Sequence, residues 1–428
     1  MRNGIKRNRH GVVAGLDVGS SKICCLIGRA GVGRADAPPR IKILGIGQQI
    51  SRGVKNGAVV DMEAAEQAIL AAVHAAEQMA QETIERVVVN LSGGYPASRS
   101  VHVEVAIDGH EVGDGDLRRA LEQGHQVEGV LGQPEKGRQV IHSIPVAYTI
   151  DGSRGIRDPR GMYGERLGVN MHIVTAATGP VRNLATCVQR CHLDIAGFVV
   201  SPFASGLAAL VEDECELGVT LIDMGGGTTS ITVFFEGNAI HTDVVPVGGM
   251  HVTNDIARGL STSLSHAERL KTLYGHAISA SSDEREMIDV PQVGEEDEGQ
   301  AHQVPRSLLV GVIQPRLEEI FELVRARLEA SGFDKLGGRR VVLTGGACQL
   351  PGTRDLASLI LDKQVRLGKP IHVDGLAEST GGPAYAGAAG LLTYAMEAET
   401  ALPPEARPQT KDPGSLLLKV GGWIREHF

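Results

Sequence analysis

The sequence predicts an α/β protein of two lobes built on a duplicated unit, with a small α+β unit inserted in the first lobe. Three observations predict it. Strand-like and helix-like segments alternate along most of the chain. The pattern apolar–Asp–apolar–Gly occurs at Leu16-Asp17-Val18-Gly19 and again at Ile222-Asp223-Met224-Gly225, 206 residues apart in a chain of 428. Between the two copies, residues 88–168 change character, with alternating Val101, Val103, Val105 and Ile107, a polar helical stretch at 114–126 and a strand at 140–150.

The elements follow in order. Residues 12–16 and 23–27 read as strands around a Gly/Ser turn, 31–39 as a loop and 41–46 as a third strand. From 61 to 83, Ala65, Ile69, Ala72, Val73, Ala76 and Met79 recur at helical spacing behind Asp61, a good N-cap. A strand at 87–91 closes the first block, and a Gly- and charge-rich loop at 151–166 closes the insertion. Strand–helix segments resume at 169–176, 180–192 and 195–200. The second copy then runs through strands at 219–222, 230–235 and 239–247 and helices at 254–259 and 266–274. A long apolar face from Leu308 to Leu328 predicts a helix bent near Pro315. A strand at 340–344 and a helix at 383–396 complete the body, and residues 397–414, rich in Pro, Glu and Ala, read as a flexible linker.

Composition narrows the function. The net charge of −9 and an aromatic content of 3% argue against nucleic-acid binding, which needs basic surfaces and stacking rings. No secretory signal follows the basic residues 1–10, and no apolar run reaches the ~18 residues of a membrane span. The six cysteines form no CxxC pair and are expected reduced in a soluble cytoplasmic protein; Cys187 and Cys191, beside His192, read as one helix face. The acidic stretch 283–298 reads as a solvated loop.

Chemistry concentrates in glycine turns. Gly19-Ser20-Ser21-Lys22 and Gly225-Gly226-Gly227-Thr228-Thr229 offer small residues, hydroxyls and a cation, the composition of a nest for phosphate oxygens. Asp17 and Asp223 stand beside these turns, where carboxylates suit Mg²⁺ held through its waters. A third glycine site, Gly345-Gly346-Ala347, follows a strand and suits the close approach of a flat ring. The P-loop pattern GxxxxGK[ST] is absent.

These three motifs resemble the two phosphate motifs and the adenosine motif of the actin/Hsp70/sugar-kinase superfamily. Within it, Gly15–Lys22, the run Arg157-Asp158-Pro159-Arg160-Gly161-Met162, Val247-Gly248-Gly249 and Ala267-Glu268-Arg269-Leu270-Lys271 resemble the FtsA family of bacterial division proteins over about residues 10–428. The resemblance implies an actin-like fold that binds ATP and Mg²⁺. Gly19, Ser20, Ser21, Lys22, Gly226, Gly227 and Thr228 would contact phosphate, and Gly248 and Gly249 would line the ribose. Glu268 and Lys271 would reach the sugar or adenine, and Gly345 and Gly346 would flank the base. It implies a disordered basic N-terminus at 1–10, lobe 1 at 11–87 and 169–217, and the family's inserted subdomain 1C at 88–168. Lobe 2 would occupy 218–372 and a return helix to lobe 1 373–396. Implied partners are the C-terminal tail of FtsZ, further copies of the chain in a polymer, and other division proteins through 1C. Ser201 stands where the related filament protein MreB has Glu, and a serine is a poor general base, so at most slow ATP turnover is expected.

The last segment, 415–428, is amphipathic. At 100° per residue Leu416, Leu417, Val420, Trp423, Ile424 and Phe428 fall within an arc of about 140°. As a helix it spans roughly 21 Å, too short to cross a bilayer but suited to lie in its interface. Together with the resemblance this predicts a peripheral protein on the cytoplasmic face of the bacterial inner membrane at the division site. The expected lipid partner is the anionic membrane surface, with apolar insertion dominating. Rival readings are a pilus-assembly-type actin-like protein and a sugar or acetate kinase, which leaves the linker and amphipathic end unexplained. An Hsp70-type chaperone lacks room for a peptide-binding domain after residue 396.

Overall fold

A computed structural model describes residues 11–31, 40–130, 137–293 and 302–401. The expectations for residues 1–10, for most of the linker and for the amphipathic end fall outside the described residues. Among the described residues no helix is long and apolar enough to cross a membrane.

Lobe 1 opens with an antiparallel meander of β1 (Val12–Val18), β2 (Lys22–Ala30) and β3 (Ile41–Ile50). A small hairpin follows, β4 (Val54–Lys55) and β5 (Ala58–Val59). Its tip, Asn56-Gly57, has φ of 49° and 74°, the left-handed pair that a tight Asn-Gly hairpin turn requires. Helix α1 (Met62–Ala80) starts where Asp61 accepts the Ala64 amide, and buries Ala65, Ile69, Ala72, Val73 and Ala76 against the sheet. Strand β6 (Arg86–Leu91) then joins β1 in parallel.

The inserted unit is β7 (Ala97–Ala106), α2 (Asp114–Val130), β8 (Arg138–Ile150), β9 (Ser153–Ile156) and β10 (Arg166–Ala177), in sheet order β7-β10-β8-β9. Val103, Val105, Leu117, Leu121, Val169 and Met171 form its own core. The chain re-enters lobe 1 through α3 (Thr178–Arg190) and β11 (Asp194–Val200), and α4 (Ser201–Ala209) and α5 (Glu212–Leu217) lead to lobe 2.

Lobe 2 repeats the plan. β12 (Val219–Met224), β13 (Thr229–Phe235) and β14 (Asn238–Val245) form the meander, followed by α6 (Gly249–Gly259) and α7 (Leu264–Tyr274). Next come the pair β15 (Met287–Val290) and β16 (His302–Pro305), then α8 (Arg306–Ser331), which continues through Pro315. β17 (Arg340–Thr344), α9 (Thr353–Leu361) and β18 (Gln364–Leu367) complete the lobe. The chain then returns to β3 through β19 (Val373–Asp374), and α10 (Ala386–Ala401) lies back on lobe 1.

The duplication is visible in the sheets. Order β3-β2-β1-β6-β11 in lobe 1 matches β14-β13-β12-β17-β18 in lobe 2, each an antiparallel meander extended by two parallel strands. Asp17 stands opposite Cys24 and Asp223 opposite Ser230, the same register in both hairpins. Helix α4 packs on α10 and also on β12 and β13, so one short helix is shared between the lobes.

Four expectations shift. β6 pairs with β1 and β11, while β10 pairs with β7 and β8 as far as Ala177, so the inserted sheet spans 97–177 and both ends move from 88–168. β10 is covered on both faces and therefore reads like a lobe strand in sequence. The loop at 151–166 contains the edge strand β9. Helix α10 extends to Ala401 and takes the first linker residues. The acidic stretch is not all solvated: Asp283, 1% exposed, accepts Arg306 Nη1 at 3.0 Å, and β15 lies within the stretch. Cys187 lies on α3's buried face, with Cys191 just beyond the helix; burial pushes their thiols up to about 11 and about 12.

Candidate functional site

The two glycine turns close their hairpins in the same way. Gly19 N–H donates to Lys22 O at 3.0 Å, and Gly225 N–H to Thr228 O at 2.9 Å. Among the described residues, the amides of Ser20, Ser21, Gly226 and Gly227 donate to no protein acceptor. Adjacent unpaired amides without bulky side chains are the physical basis of an anion nest, and these residues fit a polyphosphate.

The turns meet across the lobes. A Cβ on Gly226 would lie 3.0 Å from Ser21 Cβ, and one on Gly227 would lie 2.5 Å from Ser20 Oγ and 2.7 Å from Asn56 Cα. Gly248 is held equally closely: a Cβ there would stand 2.5 Å from Gly225 O and 2.9 Å from Thr228 N. The first amides of α6 are used on the same turn, Gly249 N–H donating to Gly225 O and Met250 N–H to Gly226 O. Thr229 Oγ1 donates to Val247 O, fixing the segment after β14 that leads into Gly248.

Helix α7 brings Glu268 and Lys271 to this helix start. Lys271 Nζ donates to Glu268 Oε2 at 2.7 Å, to Thr253 Oγ1 at 2.8 Å and to Gly249 O at 3.2 Å. The third glycine site abuts the second. Gly345, with φ of 85°, passes so close to β12 that a Cβ would lie 2.4 Å from Met224 O, and Ala347 touches Gly249. Gly346 stands beside Ala384. The sequence-predicted residues of all three motifs therefore form one chain of contacts, and those of the amphipathic end lie outside the described residues.

The carboxylates sit behind the turns. Burial raises Asp17 to about 6, with Asp223 adding to the rise and Lys22 and Asn90 opposing it. Burial likewise raises Asp223, opposed by Ser205 and Lys22. Two desolvated carboxylates, Asp223 raising the proton affinity of Asp17, with one lysine nearby, suit a divalent cation. Lys22 itself lies over the Tyr385 ring, 3.4 Å from its centroid, and burial lowers its pKa.

Several residues of the site escaped sequence reasoning. Asn90 Oδ1 accepts the Val18 amide at 2.6 Å while its Nδ2 donates to Ser201 Oγ at 3.2 Å, so Ser201 is already engaged. Ser205 Oγ donates to Asp223 Oδ2 at 2.7 Å. Asn56-Gly57 is a hairpin signal in sequence, but nothing there places it against both glycine turns.

A family model described as "Cell division protein FtsA" matches residues 220–390, and one described as "SHS2 domain inserted in FTSA" matches 93–175. The chain is 46% identical over 429 residues to cell division protein FtsA of Rhizobium meliloti (strain 1021), covering 98% of this chain and 96% of that one. It is 33% identical over 436 residues to FtsA of Escherichia coli (strain K12), covering 99% and 100%. Among solved structures, one of the PilM-PilN type IV pilus biogenesis complex aligns with TM-score 0.64 at 19% identity, covering 90% of this chain and 98% of that one. MreB5 of Spiroplasma citri bound to ADP aligns with TM-score 0.52 at 13% identity, covering 91% and 97%. The chain belongs to the FtsA family of cell division proteins, and its fold is that of the actin-like ATPases.

Proposed function

We propose that the chain is a nucleotide-switched scaffold of bacterial division, holding ATP with Mg²⁺ between its lobes and polymerising on the inner face of the cytoplasmic membrane. One observation carries the nucleotide reading: two glycine turns from duplicated sheets, with unpaired amides, touch each other in front of Asp17 and Asp223. Gly19, Ser20, Ser21, Lys22 and the turn from Gly225 to Thr229 would hold the phosphates, and Asp17 and Asp223 the hydrated metal. Gly248, Gly249, Glu268, Lys271, Gly345, Gly346 and Ala347 would enclose the nucleoside. That MreB5 of the same fold was solved with ADP supports this.

In this reading the metal supplies charge neutralisation for the phosphates. The chain's own residues bind and orient. Ser201, engaged by Asn90, offers no strong base, and this supports slow turnover with the nucleotide acting as a switch. Family membership supports the division role, with the FtsZ tail received by lobe 2 and the inserted unit free to engage other division proteins.

Attachment would come from the amphipathic segment 415–428, since a chain of net charge −9 has no general attraction to anionic lipid. Co-sedimentation of the full chain with anionic liposomes and ATP, against a deletion of residues 415–428, tests this. The full chain is expected to pellet and the deletion to stay in solution; equal pelleting of both refutes the attachment.

A further inference from the structure

Ser205 lies in α4 and is fully buried. Its hydroxyl donates to Asp223 Oδ2 at 2.7 Å, across the boundary from the shared helix to the lobe 2 sheet. The other oxygen, Oδ1, lies against the backbone of Gly345, where a Cβ would stand 2.5 Å away. The carboxylate is thus hydrogen-bonded at Oδ2 and closely packed at Oδ1. On the opposite side is Gly387 in the first turn of α10, where a Cβ would come within 3.4 Å of Asp17 Oδ2 and 3.6 Å of Ser205 Oγ. Asp17, Ser205 and Asp223 therefore converge on one point from lobe 1, the shared helix and lobe 2.

A carboxylate that must serve a hydrated cation gains from being fixed before the cation arrives, because reorienting it on binding would cost affinity. A serine hydroxyl suits this task, since it donates to one oxygen without adding charge. We propose that Ser205 is a positioning residue for the cation that accompanies the nucleotide, holding Asp223 in the orientation set by their hydrogen bond. The inference rests on the nucleotide reading above and adds to it a residue that touches neither phosphate nor base.

The test is the Mg²⁺ dependence of ATP binding by the full chain, read by calorimetry for the wild type, Ser205→Ala and Ser205→Cys. Losing a hydrogen bond to a charged group predicts that Ser205→Ala raises the Mg²⁺ midpoint about tenfold. Cysteine, a weaker donor, should fall between, and ATP affinity in EDTA should match the wild type for both. Melting curves check folding, and the cysteine variant carries the test if the alanine variant does not fold. An unchanged midpoint, or an equal loss of ATP affinity with and without Mg²⁺, overturns the proposal. Absence of saturable ATP binding by the wild type instead overturns the nucleotide reading, and this inference with it.

Discussion

The Gly57 amide donates to the Ser20 hydroxyl at 2.9 Å, tying the tip of the β4–β5 hairpin to the first glycine turn. The neighbouring tip residue, Asn56, faces Gly227 of the second turn. One hairpin therefore touches both halves of the proposed clamp. Ser20→Ala would leave the Gly57 amide buried without its acceptor, at a cost of roughly 1–3 kcal/mol. A lowered melting temperature is expected; an unchanged one would show the contact to be incidental.

The shared helix α4 crosses α10 at Gly390, where a Cβ would lie 1.6 Å from Ala204 O. Gly390→Ala must push the helices apart, and such overpacking costs about 1–3 kcal/mol. Because Ser205 follows Ala204, the same displacement should disturb its bond to Asp223. Thermal melts are expected to show a clear loss of stability. Gly197→Ala is the control, since no atom lies within 4 Å of the added methyl.

The inserted unit is joined to both lobes through buried histidines. His142 Nε2 accepts the Val200 amide at 3.0 Å, and His172 Nε2 meets Thr242 Oγ1 at 3.2 Å. Burial lowers His142 to about 4 and His172 to about 3. Both stay neutral in the folded chain at pH values where the unfolded chain, near 6.5, takes up protons. Their contribution is therefore complete above about pH 6.5 and falls as the pH drops toward 4, by about 1.4 kcal/mol per pH unit for each histidine. Melting temperatures between pH 7 and pH 4.5 should fall less steeply in a His142→Gln, His172→Gln double variant. Equal slopes would contradict this assignment.

Much of the architecture was legible because it is written in local patterns. The repeated Asp-apolar-Gly turns, the period of α1 behind Asp61 and the glycines after β17 each act through their immediate neighbours. The limits of the inserted unit were not legible, since β10 is buried on both faces like the lobe strands and only its pairing with β7 and β8 assigns it. Ser205 and Asn90 were equally hidden. Their roles depend on which carboxylate or amide the fold sets opposite them, and no spacing in the sequence records that.

The central claim is that the two glycine turns form one nucleotide clamp. Titration of ATP with Mg²⁺ into the full chain, Gly227→Ala and the Gly197→Ala control measures it most directly, because a Cβ at Gly227 would collide with Ser20 Oγ and with the Asn56 backbone at once. The account predicts saturable binding of one ATP per chain, retained in the control and weakened at least tenfold in Gly227→Ala. No saturable binding by the wild-type chain, or undiminished affinity in Gly227→Ala, would contradict it.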